Sequence, residues 1–65
     1  MPRTQTQMNE ITELWTTDET AAFLRVPVAT IYSWRYQGKG PRGHRVGRRI
    51  VFVPEEVKAW VLAQD

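Results

Sequence analysis

Residues 16–37 read TTDETAAFLRVPVATIYSWRYQ, which predicts two short helices with a tight connection between them. The first helix begins at a capping box, in which the Thr16 hydroxyl and the Glu19 carboxylate each accept a backbone N–H at the helix start. It cannot run past Val26, because the residue before a proline is pushed out of the α region. Pro27 suits the first position of a second helix. We therefore expect two helices, over about 17–25 and 27–37.

The residues after the second helix predict a β-hairpin, which we place at about 42–53. Gly38 is suited to end the helix in a left-handed conformation. Two strand-like runs follow, and Gly47-Arg48 between them fits a two-residue type II′ turn. Alternation along the strands predicts an inner set and an outer set of side chains. The inner set is Val46, Ile50 and Phe52; the outer set is Arg45 and Arg49.

The C-terminal end of the chain is predicted to be helical and the N-terminal end to be flexible. Pro54 and the two acids after it open a last helix over about 54–63, because proline suits the first helical position and acids suit the positive end of the helix dipole. Residues 1–13 are mostly polar and predict a flexible arm. Within residues 10–15, Ile11, Leu14 and Trp15 fit either one helical turn or a strand-like lead-in. Six residues are too few to decide between these two structures.

The composition excludes most classes of catalytic protein. The chain has 65 residues, no cysteine and one histidine, so it can form neither a disulfide framework nor a thiolate metal site. We expect one domain over residues 14–65, no enzyme activity, and neither a metal nor another cofactor. No long apolar run is present, so we expect a soluble, cytoplasmic protein with no membrane partner.

Charge is distributed unevenly along the chain, although the formal net charge is only +2. Residues 25–53 contain seven cations and no acid, while the segments on either side are acidic on balance. Six of the seven cations are arginine, whose planar guanidinium matches phosphate oxygens and guanine edges. A long basic stretch without acids is typical of a polyanion-binding surface. The alternative is an ordinary solvated basic loop, and we favour nucleic acid over it.

Two short helices, a basic hairpin and a closing helix predict a mainly α fold with a small β-hairpin, the winged helix-turn-helix. In that fold the second helix enters the major groove, where base edges differ in their donors and acceptors. The predicted groove contacts are Val28, Ala29, Thr30, Tyr32, Ser33, Arg35 and Tyr36. The predicted wing and phosphate contacts are Thr16, Thr17, Lys39, Arg42, His44, Arg45, Arg48 and Arg49.

Several of these residue types also have a purely structural interpretation. Trp15, Trp34 and Trp60 are expected in the core, because a small core needs large side chains. For Tyr32 and Tyr36 the two interpretations, surface packing and phosphate contact, are supported about equally. An ordinary strand position is favoured for His44 over a phosphate contact.

Four segments together resemble the excisionase-type, MerR-like winged helix-turn-helix domain. They are TTDETAAFL at 16–24, VPVATIYSWR at 26–35, RVGRR at 45–49 and PEEVKAWV at 54–61. The resemblance covers residues 14–62 and is strongest to excisionases of actinobacterial phages. The sequence departs from the family at two positions: Arg25 replaces the usual glycine, and Pro27 replaces the usual serine or threonine cap.

The resemblance implies a recombination directionality factor with no catalytic activity. Such a protein binds repeated attachment-site sequences in double-stranded DNA, bends the DNA, and contacts other copies of itself head to tail. It thereby helps a phage integrase to excise DNA rather than integrate it. Two alternatives stay open: a small transcription regulator of the same fold, and a protein-interaction module that uses the acidic N-terminal region with Tyr32 and Tyr36.

Overall fold

The computed structural model describes residues 13–65, so the predictions made for Ile11 and for residues 1–12 lie outside the described residues. The elements in chain order are β1 (Trp15–Thr16), α1 (Thr17–Leu24), α2 (Val28–Gln37), β2 (His44–Val46), β3 (Arg49–Phe52) and α3 (Pro54–Leu62). Trp15 therefore belongs to a strand, which decides between the two possibilities that its local sequence left open.

Local hydrogen bonds define both ends of α1. The predicted capping box is confirmed: the Glu19 N–H donates to Thr16 Oγ1 at 3.0 Å, and the Thr16 N–H donates to Glu19 Oε1 at 2.8 Å. At the other end Arg25 adopts a left-handed conformation, with φ 62° and ψ 41°. Its N–H donates to Ala22 O, and the N–H of Val26 donates to Ala21 O. This is the Schellman pattern, built here without a glycine.

The connection to α2 consists of three residues, 25–27. Pro27 is extended, with ψ 150°, and occupies the N-cap position, so α2 begins one residue later than predicted. Its side chain makes no capping hydrogen bond, because a proline ring has no polar atom to offer. Gly38 ends α2 in the left-handed conformation as expected, with φ 75°, and Lys39 completes a second Schellman pattern by donating to Trp34 O at 2.8 Å.

The three strands form an antiparallel sheet in the order β1-β3-β2. Gly47 has φ 62°, and Arg48 is not among the positive-φ residues, as a type II′ turn requires. The two-residue turn places Val46 directly opposite Arg49 and Arg45 opposite Ile50. Directly opposed residues share a face of the sheet.

The prediction that Val46 faces inward is therefore wrong. It lies on the face opposite to Phe52, near the hairpin tip, and is 57% exposed. The predictions for Ile50 and Phe52 are confirmed, since Phe52 is fully buried and Ile50 packs against the core. Arg45 and Arg49 are both exposed, as predicted, but they lie on opposite faces of the hairpin.

The core lies where α1, α2, α3 and the inner face of the sheet meet. Its buried apolar residues are Ala21, Ile31, Phe52 and Val57. Trp15 and Trp34 pack against this cluster, and the Trp34 and Trp60 rings lie 5.3 Å apart in a tilted arrangement. The three tryptophans therefore serve packing, as predicted. The architecture is a winged helix-turn-helix: α1 supports α2, and β2 with β3 forms the wing.

Candidate nucleic-acid interface

One stripe of α2 is directed to solvent along its whole length. Ala29, Tyr32, Ser33 and Tyr36 recur at the spacing of a single helix face, and all four are exposed. Tyr36 is 94% exposed and Tyr32 is 54% exposed, so both rings are accessible to a ligand. Ser33 Oγ accepts a hydrogen bond of 2.8 Å from Gln37 on the next turn. We refer to these four residues as the α2 stripe.

The other three predicted groove residues lie off this stripe. Val28 is half-buried and packs against the core, because the helical period places it beside Ile31. The structure therefore gives Val28 a packing role, and its contact with a base stays a prediction. Thr30 is half-buried on the opposite flank of the helix. Arg35 is exposed, but it leaves the helix on the flank that faces the wing.

The position of Arg35 depends on Gly43, just before β2. A Cβ built on Gly43 collides with the Arg35 guanidinium and comes within 3.0 Å of Ile50 Cγ2. Gly43 therefore leaves the space that the Arg35 side chain fills between α2 and the wing. Any larger residue at this position must displace either the guanidinium or the inner face of β3.

A notch lies between the start of α1, the middle of α2 and the tip of the wing. It is lined by Thr16, Thr17, Asp18, Tyr32, Arg48, Arg49, Ile50 and Val51, and we refer to these residues as the notch. Thr17 is only 8% exposed, and the Thr16 hydroxyl already accepts the capping hydrogen bond. The cationic groups that line the notch are the guanidinium groups of Arg48 and Arg49, and both side chains are exposed.

Asp18 is a notch residue that the sequence predictions did not include. As an acid in the first turn of α1, it lies at the positive end of the helix dipole, and only the folded wing places it in the same recess as two arginines. Within residues 13–65 it forms no ion pair with either of them. An unpaired carboxylate in this recess opposes the approach of a phosphate, so Asp18 is expected to reduce affinity for a polyanion.

A second basic recess lies between the end of α2 and the beginning of the wing. It is lined by Arg35, Lys39 and Arg42 together with Gly38, Gly40, Pro41 and Gly43, and we refer to these residues as the loop recess. Its backbone is tightly folded, since Gly40 has φ 86° and lies against the Trp34 side chain. Two predicted phosphate contacts, Lys39 and Arg42, are thus brought together with Arg35.

His44 is the predicted wing residue with a clear intramolecular partner. Its Nε2 atom lies 2.7 Å from Oε1 of Glu56, at the start of α3. Both side chains are partly exposed. The contact fastens β2 to α3, and a phosphate has to compete with the Glu56 carboxylate for this ring nitrogen. Local sequence does not reveal the pairing, because the two residues are twelve positions apart.

The seven cations of residues 25–53 are all exposed. Within residues 13–65 the only contact between a basic side chain and a carboxylate is the hydrogen bond between His44 and Glu56, so none of the seven is neutralised by a carboxylate in this part of the chain. Exposed arginines without intramolecular partners retain all their donors for a ligand. These cations therefore have the charge and the hydrogen-bonding groups that phosphate oxygens require.

The described residues offer no other obvious chemistry. No group of three or more metal-ligating side chains occurs within residues 13–65. Over the same residues, no helix has both the length and the apolar character needed to cross a bilayer.

Comparison with known proteins yields one match. The family model described as "Helix-turn-helix domain" matches residues 16–65, which includes α1, α2, the wing and α3. No curated protein matches the chain significantly. No solved structure matches it significantly either.

Proposed function

The chain belongs to the helix-turn-helix domain family, a family of DNA-binding domains, and we propose that it acts as an excisionase. In this role it recognises attachment-site repeats in double-stranded DNA, bends them, and directs a phage integrase towards excision. The observation that carries the DNA-binding part is the set of exposed cations without carboxylate partners beside α2: Arg48 and Arg49 share a recess with Tyr32, and Arg35, Lys39 and Arg42 share a recess at the end of the helix. The excisionase part is supported by the sequence resemblance over residues 14–62.

The α2 stripe and the notch have different tasks in this proposal. Ala29 and Ser33 are small enough to let α2 approach base edges closely, and a methyl group such as that of Ala29 can contact thymine. Tyr32 and Tyr36 flank them with hydroxyl groups that can donate to phosphate. The guanidinium groups of Arg48 and Arg49 supply the charge that neutralises phosphate, which carries affinity but no sequence information.

The first experiment measures binding to duplexes from the DNA that flanks the gene, as a function of salt. Arg48→Ala should weaken binding to all sequences alike and reduce the log–log salt slope by about 1. Ser33→Arg should instead change the order of preference among sequences. Lys58→Gln is the matched control, because Lys58 is an exposed cation on α3 that lines neither basic recess. Affinity that is insensitive to salt contradicts DNA binding through this surface.

The second experiment separates excision from regulation. An excision assay with the partner integrase should lose its excised product when the gene is deleted, and complementation should restore it. Continued excision without the gene, combined with altered transcription nearby, would assign the protein to the alternative role of a small transcription regulator.

We also infer that several copies act side by side on DNA. The basic central segment lies between acidic segments, with Asp18 and Glu19 near one end and Glu55 and Glu56 near the other. One short recognition helix contacts few bases, so a single copy should bind weakly. Adjacent copies whose opposite charges face each other should attract each other and therefore bind cooperatively. A duplex with two sites tests this inference, and independent occupation of the two sites contradicts it.

A further inference from the structure

Gln37, the last residue of α2, carries the one side-chain amide of this helix, and the DNA contacts described above give it no task. It is exposed, and its Nε2 atom donates a hydrogen bond of 2.8 Å to Ser33 Oγ. Helical side chains lean towards the N-terminus of their helix, so the amide lies over the turn of Ser33 rather than beyond the helix end. Gln37 is therefore joined to a residue of the α2 stripe.

Ala29, Ser33 and Gln37 form one row along α2, at a spacing of four residues, and all three are exposed. Such a row turns only slowly around the helix, because one helical turn takes 3.6 residues. Tyr32 and Tyr36 form the neighbouring row, and Tyr32 lines the notch beside the wing arginines. Gln37 therefore extends the α2 stripe on the side that is farther from the wing.

The amide of Gln37 keeps the two groups that one particular base requires. A side-chain amide has one carbonyl oxygen that accepts hydrogen bonds and an NH₂ group with two hydrogens to donate. One hydrogen is used on Ser33, which leaves the second hydrogen and Oε1 for a ligand within residues 13–65. Adenine presents the N7 acceptor and the N6 amino donor side by side in the major groove, and a glutamine amide can bind both at once.

No other side chain on the exposed face of α2 is as selective. The hydroxyl groups of the α2 stripe rotate and can donate or accept, so they bind several bases or a phosphate. The methyl group of Ala29 can contact thymine but makes no hydrogen bond. The guanidinium of Arg35, which would suit guanine, lies against Gly43 on the flank that faces the wing. Recognition of a base through two hydrogen bonds therefore falls to Gln37.

We propose that Gln37 recognises an adenine in the major groove through both groups of its amide, and that Ser33 is the positioning residue for this contact. This proposal rests on the proposed DNA-binding function. An amide that is already bonded to Ser33 loses less conformational entropy on binding than a freely rotating one. The bond to Ser33 uses a hydrogen that the adenine contact does not need, so the two contacts are compatible.

The test begins with a pool of duplexes of random sequence, from which the wild-type chain enriches its preferred sites. The same selection is repeated with Gln37→Ala and with Gln64→Ala. Gln64 is the matched control, because it is an exposed amide that follows α3 and donates to the Trp60 carbonyl. We expect Gln37→Ala to lose a preference for adenine at one position and to keep the others, whereas Gln64→Ala keeps the whole preference. Circular dichroism verifies that each variant is folded.

The second step replaces that adenine by 7-deazaadenine, which lacks the N7 acceptor but still pairs with thymine. Wild-type affinity should fall by roughly 2- to 10-fold, the usual effect of one lost hydrogen bond. The affinity of Gln37→Ala should already be lower on the natural site, by roughly 5- to 100-fold, and should not change with 7-deazaadenine. Ser33→Ala should show a smaller response to 7-deazaadenine than the wild type, and Ser33→Thr, which retains the hydroxyl, should restore it.

A hydrogen bond that only stabilised α2 would not produce this pattern, because the loss of N7 would then affect the wild type and Gln37→Ala equally. Equal responses therefore overturn the adenine contact and leave DNA binding intact. A wild-type chain that binds duplexes but enriches no adenine dependent on Gln37 does the same. A full response in Ser33→Ala overturns the positioning role of Ser33. Absence of duplex binding by the wild-type chain at low salt overturns both this inference and the proposed function.

Discussion

Replacing Arg25 by glycine is expected to stabilise the domain. Arg25 is the only non-glycine residue with positive φ within residues 13–65, and it holds the left-handed position that ends α1. An L-residue with a Cβ in this conformation carries a penalty of roughly 1–2 kcal/mol. The Schellman hydrogen bonds at this helix end use backbone atoms alone, so Arg25→Gly can retain them.

The net gain is smaller than the conformational penalty. Glycine has more freedom in the unfolded chain, which offsets about 0.5–1 kcal/mol. The expected increase in the free energy of unfolding is therefore about 0.5–1 kcal/mol. For a domain of this size, 1 kcal/mol corresponds to roughly 4–8 °C in Tm, so the Tm should rise by about 2–8 °C.

Two controls separate conformation from charge. Arg25→Ala removes the guanidinium but retains the Cβ, so it should not stabilise the domain. Gly38→Ala is the reverse substitution at the end of α2. A Cβ there meets no atom within 4 Å, so only its φ of 75° opposes the change, and a loss of about 1 kcal/mol is expected.

Urea denaturation followed by circular dichroism measures these differences. The reasoning is refuted if Arg25→Gly is no more stable than Arg25→Ala, because the two differ mainly in whether a Cβ occupies the left-handed conformation.

Three further changes test the capping box, the notch and the hairpin register. Thr16→Ala removes the acceptor of the Glu19 N–H and should lower the free energy of unfolding by about 1 kcal/mol in urea denaturation; an unchanged midpoint contradicts this. Asp18→Asn removes the carboxylate from the notch and should raise duplex affinity severalfold at low salt, an increase that high salt should abolish. Val46→Thr should change stability by less than about 0.5 kcal/mol, whereas Phe52→Ala should cost about 3–5 kcal/mol; equal effects in thermal melts would mean that the register of the wing is wrong.

Much of the fold follows from local sequence rules. The capping box at Thr16, the break before Pro27 and the end of α2 at Gly38 depend on neighbouring residues, and the structure confirms each of them. The two-residue turn at Gly47 is local in the same way. Arg25 shows the limit of residue preference, because the Schellman hydrogen bonds place an arginine in a conformation that glycine normally takes.

The faces of the hairpin could not be obtained from alternation within each strand. The two-residue turn fixes the register, and the register places Val46 opposite Arg49 rather than beside Phe52. The same limitation applies to Val28, since an exposed and a core-facing flank of α2 differ only in what packs against them. The predicted turn already implies the pairing of Val46 with Arg49, whereas the flank of α2 that carries Val28 is decided only when the helix packs against the core.

The sequence determined the element types, their order and the acid-free basic stretch, because capping, turn chemistry and charge depend on residues close together in the chain. Tertiary structure alone decided which cations share a recess. It placed Asp18 beside the wing arginines, His44 beside Glu56, and Arg35 against Gly43. Each of these contacts joins residues that are at least eight positions apart, and only packing around the shared core determines which distant residues meet.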